Sequence, residues 1–148
     1  MNETNHEECI KICNSLLRGE LSAVETYEKA IEKYPSIPIT PELTRIQTEH
    51  RLSADRLTAN VREMGGTPET DSGAWGAFAN TVQNAANLFG TESAIESLQT
   101  GEKHGRSDYM DALEDKNVMD ACKIMIRTEL LPRVENHIEV LSCLEDTF

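Results

Sequence analysis

Four ionisable residues stand where a helical sequence normally places apolar ones: Glu20, His50, Glu102 and His137. Glu20 falls in the series Ile10, Cys13, Leu17, Glu20, Val24, Tyr27, Ile31, Tyr34, which steps by three and four without a break. His50 belongs to two overlapping stripes, Leu43–Ile46–His50–Ser53–Leu57–Met64 and Gln47–His50–Ala54–Leu57–Val61–Met64. Glu102 sits among Ile95, Leu98, Gly105, Tyr109 and Ala112, and His137 among Cys122, Ile126, Leu130, Val134, Leu141 and Leu144. Spacing of this kind turns a side chain toward neighbouring helices. An unpaired carboxylate or imidazolium is costly there, so each of the four needs a partner. Carboxylates and imidazoles converging inside a helical bundle are a usual donor set for iron, manganese or zinc. A competing reading needs no metal: the four pair with one another as buried salt bridges that fix helix register.

The elements that must position them are helices. Ala, Leu, Ile, Glu and Lys fill long stretches free of Gly and Pro, and such residues lose little rotamer freedom in a helix. The spacing predicts helices over about 6–34, 41–64, 92–115 and 118–145. "YPSIPITP" ends the first, and Thr40-Pro41 supplies a cap and first turn for the second. Gly65 reads as the C-cap of the second helix. Gly90 closes a shorter apolar segment, Trp75–Phe89, and Thr91 can cap the third helix. Pro132 lies inside the last pattern and should bend that helix by freeing the carbonyl of Thr128. No internal repeat or low-complexity segment appears. The expected fold class is all-α, a single domain over 1–148: a four-helix bundle with a long crossover containing a short fifth helix.

Depth along the bundle decides whether the four residues can meet. At about 1.5 Å per residue, His50 lies roughly 13 Å from the start of its helix, Glu102 roughly 15 Å from the start of its own, and His137 roughly 13 Å from the end of its own. These are level only if the second and third helices begin at the same end of the bundle, which requires residues 65–91 to cross its full length. Glu20 counts roughly 8 Å deeper than His50, whereas Glu25 is level but one position off the seam. Facing favours Glu20. Glu49 and Glu129 are further carboxylates near the set, with Glu49 adjoining His50 and expected to point aside.

Composition narrows the function classes. The formal net charge of −12 argues against nucleic-acid binding and against docking on an anionic membrane, and it fits a surface that attracts cations. No run reaches the roughly 18–20 apolar residues of a membrane span, and no signal peptide is visible in "MNETNHEECIK", so a cytoplasmic protein is expected. The four cysteines, Cys9, Cys13, Cys122 and Cys143, form no CxxC and are expected to be reduced. Cys9 and Cys13 are spaced to share a metal, yet Cys13 and Cys122 read as core, because free Cys behaves as a small hydrophobe. Tyr27, Tyr34 and Tyr109 read as core residues with satisfied hydroxyls, His6 and His104 as solvent-facing, and Trp75 and Phe78 as capping the bundle. No nucleophile motif, phosphate loop or dinucleotide fingerprint is present, which argues against an enzyme of those kinds.

The stretches "LLRGELSAVETYEKA", "EHRLSADRL", "SGAWGAFANTVQNAANLFG", "LQTGEKHGRSDY" and "LLPRVENHIEVL" together resemble a family of uncharacterised bacterial ferritin-like proteins of unknown function. The resemblance covers nearly the whole chain and implies a ferritin-like bundle. Ferritin-like di-iron proteins use one Glu on each of two helices and Glu-x-x-His on the other two. Carried over, Glu20 and Glu102 look like the lone carboxylates, and His50 and His137 like the histidines of the paired motifs. The bridging carboxylates are missing: Gln47 and Val134 stand three residues before the histidines. What remains could hold one metal, two weakly coupled metals, or none. A structural or stress-associated bundle, a homo-oligomer, and an adaptor that recognises a partner protein through the apolar crossover are the other readings.

Overall fold

The computed structural model describes residues 3–33, 39–72 and 90–146. Among them there is no strand. The helices are α1 (Glu3–Lys33), α2 (Thr40–Glu63), α3 (Thr91–Glu114), α4 (Asp120–Met125) and α5 (Leu131–Glu145). A π-helical turn, Ile126–Leu130, joins α4 to α5, so together they form the fourth rod of the bundle. None of these helices is long and apolar enough to cross a membrane. The expected crossover helix over Trp75–Phe89, and Tyr34, lie outside the described residues.

The ends of the helices follow local chemistry with small departures. α2 begins one residue earlier than expected, with Ile39 rather than Thr40 as the flanking residue and Pro41 in the first turn. Its other end is closed by Gly65, whose φ of 83° lies in the left-handed region that a side chain disfavours. Gly90 (φ 90°) plays the corresponding part before α3, in place of a side-chain cap from Thr91. Where a bend at Pro132 is expected, the structure has a π-helical turn just before it. Leu131 N–H closes a wide π turn on Ile126 O, and Pro132 then sits in the first turn of α5, where its missing N–H costs little.

The buried face of α1 is wider than the expected seam. Cys13, Leu17, Glu20 and Tyr27 are buried, but so are Cys9, Leu16 and Ala30, while Ile10 and Ile31 are only half-buried. Val24, in the middle of the series, is half-buried as well. On α2 both overlapping stripes are buried except for their last member, Met64, which is half-buried just past the helix.

The core divides into two apolar clusters. The first contains Cys9, Cys13 and Leu17 from α1, Leu57 and Val61 from α2, Tyr109 and Ala112 from α3, and Cys122 and Ile126 from the fourth rod. The second contains Tyr27 and Ala30 from α1, Leu43 and Ile46 from α2, Ile95 and Leu98 from α3, and Leu141 from α5. The first and fourth rods therefore run from the first cluster to the second, and α2 and α3 both run the opposite way. Parallel α2 and α3 require the chain between them to traverse the bundle, about 36 Å for a helix of 24 residues. α1 packs most extensively on α2, and α3 on α5.

Both clusters are packed closely enough that small deletions should register. Ile46 is fully buried, so Ile46→Val is expected to cost about 0.5–1.5 kcal/mol in a denaturant titration without altering the cooperativity of unfolding.

Candidate metal centre

Between the two apolar clusters lies a polar layer. Glu20, His50 and Glu102 are each 4% exposed and His137 is 1% exposed, so water can supply almost none of their hydrogen bonds. Each is held at this level by its own helix: Glu20 midway along α1, His50 on α2, Glu102 on α3 and His137 on α5. The count that set Glu20 deeper than His50 does not separate them, because the two side chains reach each other directly. His50 donates from Nδ1 to Glu20 Oε2 (2.5 Å) and from Nε2 to Glu102 Oε2 (2.7 Å). His137 Nδ1 lies 3.2 Å from Glu102 Oε1, and its Nε2 lies 2.9 Å from Glu49 Oε1. The two imidazole rings are 4.7 Å apart, centroid to centroid.

Two tyrosines complete the layer. Tyr27 Oη donates to Glu102 Oε2 (2.6 Å) and Tyr109 Oη donates to Glu20 Oε1 (2.5 Å). Their hydroxyls are satisfied, as expected of core tyrosines, and the acceptors are the two buried carboxylates. Among the described residues no buried side-chain nitrogen or oxygen lacks a partner.

Glu49 does not point aside. One oxygen receives His137, while Arg45, one turn earlier on α2, donates to the other at 2.7 Å. It is half-buried and links the layer to the surface. The other two reserve carboxylates stay outside: Glu25 is exposed and accepts from Ser72 Oγ (3.0 Å), and Glu129 pairs with Arg56 (3.3 Å). The positions of the absent bridging carboxylates are occupied otherwise. Gln47 donates to Val24 O and to Glu28 on α1, and Val134 packs in the first apolar cluster. Among the described residues, Glu102 is the carboxylate that touches both histidines.

Electrostatics fix the charge states. Burial would raise the Glu102 carboxyl, but the His50 charge and the hydrogen bonds from His137 and His50 outweigh it and hold Glu102 down at about 2. Burial would likewise strip His50 of its proton, yet the charges of Glu102 and Glu20 raise it well above the usual imidazole range. Glu49 is lowered against its own burial by His137 and Arg45. Tyr27 and Tyr109 are raised by burial and by the carboxylates they bond, so both remain neutral phenols.

The ring nitrogens show how a cation would fit. His50 Nε2 and His137 Nδ1 face the two oxygens of one carboxylate, Glu102, and a ligand atom from each of the three residues lies within 4.8 Å of the others. The opposite nitrogens face Glu20 and Glu49. That pattern, a ligating histidine braced through its second nitrogen by a carboxylate, is how metal-bound imidazoles are oriented. The geometry thus separates the four sequence candidates. His50 and His137 meet on Glu102, whereas Glu20 touches the other nitrogen of His50. Glu49, adjacent to His50 in sequence, braces His137 on another helix, and only coordinates could reveal that pairing.

A cleft of about 290 Å³ leads to this layer between α1 and α3. Gly19, Ala23, Gly101 and Gly105 line it, and Glu20, Glu102, His50, Tyr27 and Tyr109 form its floor. A methyl group added at Gly19 or Gly105 would meet nothing within 4 Å. Gly105 therefore serves an opening rather than a close helix approach.

A second group of candidate ligands lies nearer one end of the bundle. Cys9, Cys13 and Cys122 are all buried, and their sulfurs lie within 4.8 Å of one another. Cys143 is exposed and apart from them, and all four thiols are free. His6, expected in solvent, is half-buried and donates to the carbonyl of Met64 (2.5 Å), closing this end of α1 onto α2.

No curated protein matches the chain, and no solved structure does. A family model described as "Domain of unknown function (DUF2383)" matches residues 8–115, a span that carries Glu20, His50, Glu49 and Glu102 but ends before His137 and Cys122. With well over half its length in that match, the chain belongs to this family, whose function is unknown.

Proposed function

We propose that the protein binds one divalent transition-metal cation, of the iron, manganese or zinc kind, through His50, Glu102 and His137, with Glu20 and Glu49 orienting the two rings. The observation that carries this reading is that both histidines aim one nitrogen at the same Glu102 carboxylate and rest the other on a separate carboxylate. Two imidazoles and one carboxylate are a donor set suited to such metals. Charge supports it too. The His50 ring, held in its charged form by Glu102 and Glu20, can give up a proton as a cation enters, so uptake adds less charge to the interior than the cation alone carries. The parallel α2 and α3 support a ferritin-like arrangement, and free cysteines suit a reducing, cytoplasmic setting. Without bridging carboxylates the centre is mononuclear, and we assign it no ferroxidase chemistry.

A second reading is favoured by one observation: every described buried polar side-chain atom already has a partner. In it the network ties the helices together and takes no ligand. Elemental analysis and calorimetric titration of protein purified without chelator separate the two. Metal binding predicts one equivalent of cation, lost in His50→Ala and His137→Ala. Glu49→Gln is expected to weaken it about 10–100-fold, because a brace is removed and the ligands stay. Gly105→Leu, which fills the cleft, is expected to slow uptake and leave the stoichiometry at one. Failure of iron, manganese and zinc alike to bind or to raise the melting temperature of the wild type would establish the ligand-free network.

A further inference from the structure

The three buried thiols raise a separate question. A free cysteine in a helical core is ordinarily a small apolar side chain. Cys9, Cys13 and Cys122 are not surrounded as apolar side chains are. Cys9 Sγ lies 3.5 Å from Cys122 Sγ, and Cys13 Sγ donates to Cys122 Sγ at 4.0 Å. Asn60, itself only 6% exposed, directs its amide NH₂ at two of the sulfurs, 3.4 Å from Cys13 Sγ and 3.2 Å from Cys122 Sγ. The backbone N–H of Met119 points at the third, 3.5 Å from Cys9 Sγ. Burying an amide among thiols is expensive if the sulfurs are only hydrocarbon substitutes, since a thiol is a weak acceptor. It is economical if the sulfurs become thiolates on taking up a cation, since the Asn60 amide and the Met119 N–H then face strong acceptors.

We infer that Cys9, Cys13 and Cys122 form a three-thiolate site for a single soft d¹⁰ cation, of which monovalent copper is the best fit, with Asn60 and the Met119 N–H bracing the sulfurs. With metal–sulfur bonds near 2.3 Å, three sulfurs around one ion stand about 4.0 Å apart in a planar arrangement and about 3.8 Å apart on a tetrahedron. The separations from Cys122 to Cys9 and to Cys13, 3.5 and 4.0 Å, bracket those values, and Cys9 and Cys13 lie within 4.8 Å of each other. Thiolate sulfur selects soft ions over the oxygen-seeking ones. Among the described residues no histidine or carboxylate joins the three sulfurs as a fourth ligand. Structural zinc sites are closed by four, whereas monovalent copper is content with three. On binding, the thiol protons leave to solvent as sulfur–metal bonds form, with no change of oxidation state. The site shares no residue with the Glu102 centre and does not depend on it.

The test is an anaerobic titration of the reduced, full-length protein with monovalent copper supplied as its acetonitrile complex. Uptake is read from the ultraviolet thiolate-to-copper absorption and from competition with a chromophoric copper(I) chelator. One equivalent is expected for the wild type, for Cys143→Ser and for His137→Ala. Cys13→Ser and Cys122→Ser are expected to bind more than about 100-fold more weakly, and Asn60→Ala about 10–100-fold more weakly as a lost brace. Circular dichroism checks that each variant folds. Should the serine variants fail to fold, X-ray absorption of the copper-loaded wild type decides, with three sulfur neighbours expected. Copper held as tightly by folded Cys13→Ser as by wild type, fewer than three sulfur neighbours, or a Cys9–Cys122 disulfide in place of copper uptake would each overturn the assignment.

Discussion

Replacing Glu102 by leucine is expected to lower the unfolding free energy of the metal-free protein by about 3–5 kcal/mol, the usual cost of removing one partner from a buried ion pair. The reason lies in what Glu102 alone accepts. Tyr27, His50 and His137 all converge on its two oxygens, from three other helices. Leucine fills comparable space but leaves the Tyr27 phenol and the His50 Nε2–H without their acceptor, where only a few per cent of each side chain reaches solvent. Glu102→Gln should lose less, since one acceptor oxygen survives, but its NH₂ must then face a donor. Glu49→Gln should lose least, because Glu49 is half-buried and solvent can reach its partners. Urea unfolding followed by far-ultraviolet circular dichroism measures all three. A loss below about 1 kcal/mol in Glu102→Leu, the range of an exposed pair, would mean that the layer does not hold the helices together.

The stability of the metal-free protein should also peak in mildly acidic solution. Glu102 is held at about 2 in the folded chain against 4.5 for an ordinary Glu, so its contribution is present above 4.5 and is lost as the pH falls from there toward 2. A separation of that size corresponds to about 3 kcal/mol. Glu49, also lowered, acts in the same direction. His50 works oppositely. Its folded value lies well above the ordinary 6.5, so its contribution is full below 6.5 and declines as the pH rises through the folded value. Much of this is one attraction seen from its two ends, and the two contributions are not to be added. Melting temperature plotted against pH should therefore crest between about 4.5 and 6.5 and fall on both sides. His50→Gln should flatten the alkaline slope and keep part of the acid one. A wild-type curve that rises steadily from pH 6 to 9 would contradict the charge states assigned to this layer.

The inner faces of the helices were open to reading because a helix repeats its environment every three or four residues. Glu20, His50, Glu102 and His137 each interrupt such a repeat, and all four are buried where the repeat put them. The reversal of α3 relative to a simple up-and-down bundle was legible as well, since only parallel α2 and α3 bring His50 level with Glu102. What the sequence does not contain is direction within a side chain. Nothing in the order of residues says that His50 turns Nδ1 to Glu20 and Nε2 to Glu102, and that choice separates a brace from a ligand. Glu49 was misjudged because its neighbour His50 takes the inward position; its length and the pull of Arg45 bring it round to His137. The cysteine cluster is half legible: the spacing of Cys9 and Cys13 allows a shared metal, but Cys122 is remote in sequence, and only the packing of the fourth rod on α1 brings it to them.

The way the helices pair has a mechanical consequence. α1 with α2 makes one hairpin, and α3 with the fourth rod makes another. The first hairpin supplies His50, Glu20, Glu49, Cys9 and Cys13; the second supplies Glu102, His137 and Cys122. Both clusters therefore straddle a single seam, one near its middle and one toward its end. A cation in either would act as a rivet between the two halves, and parting them would dismantle both clusters together.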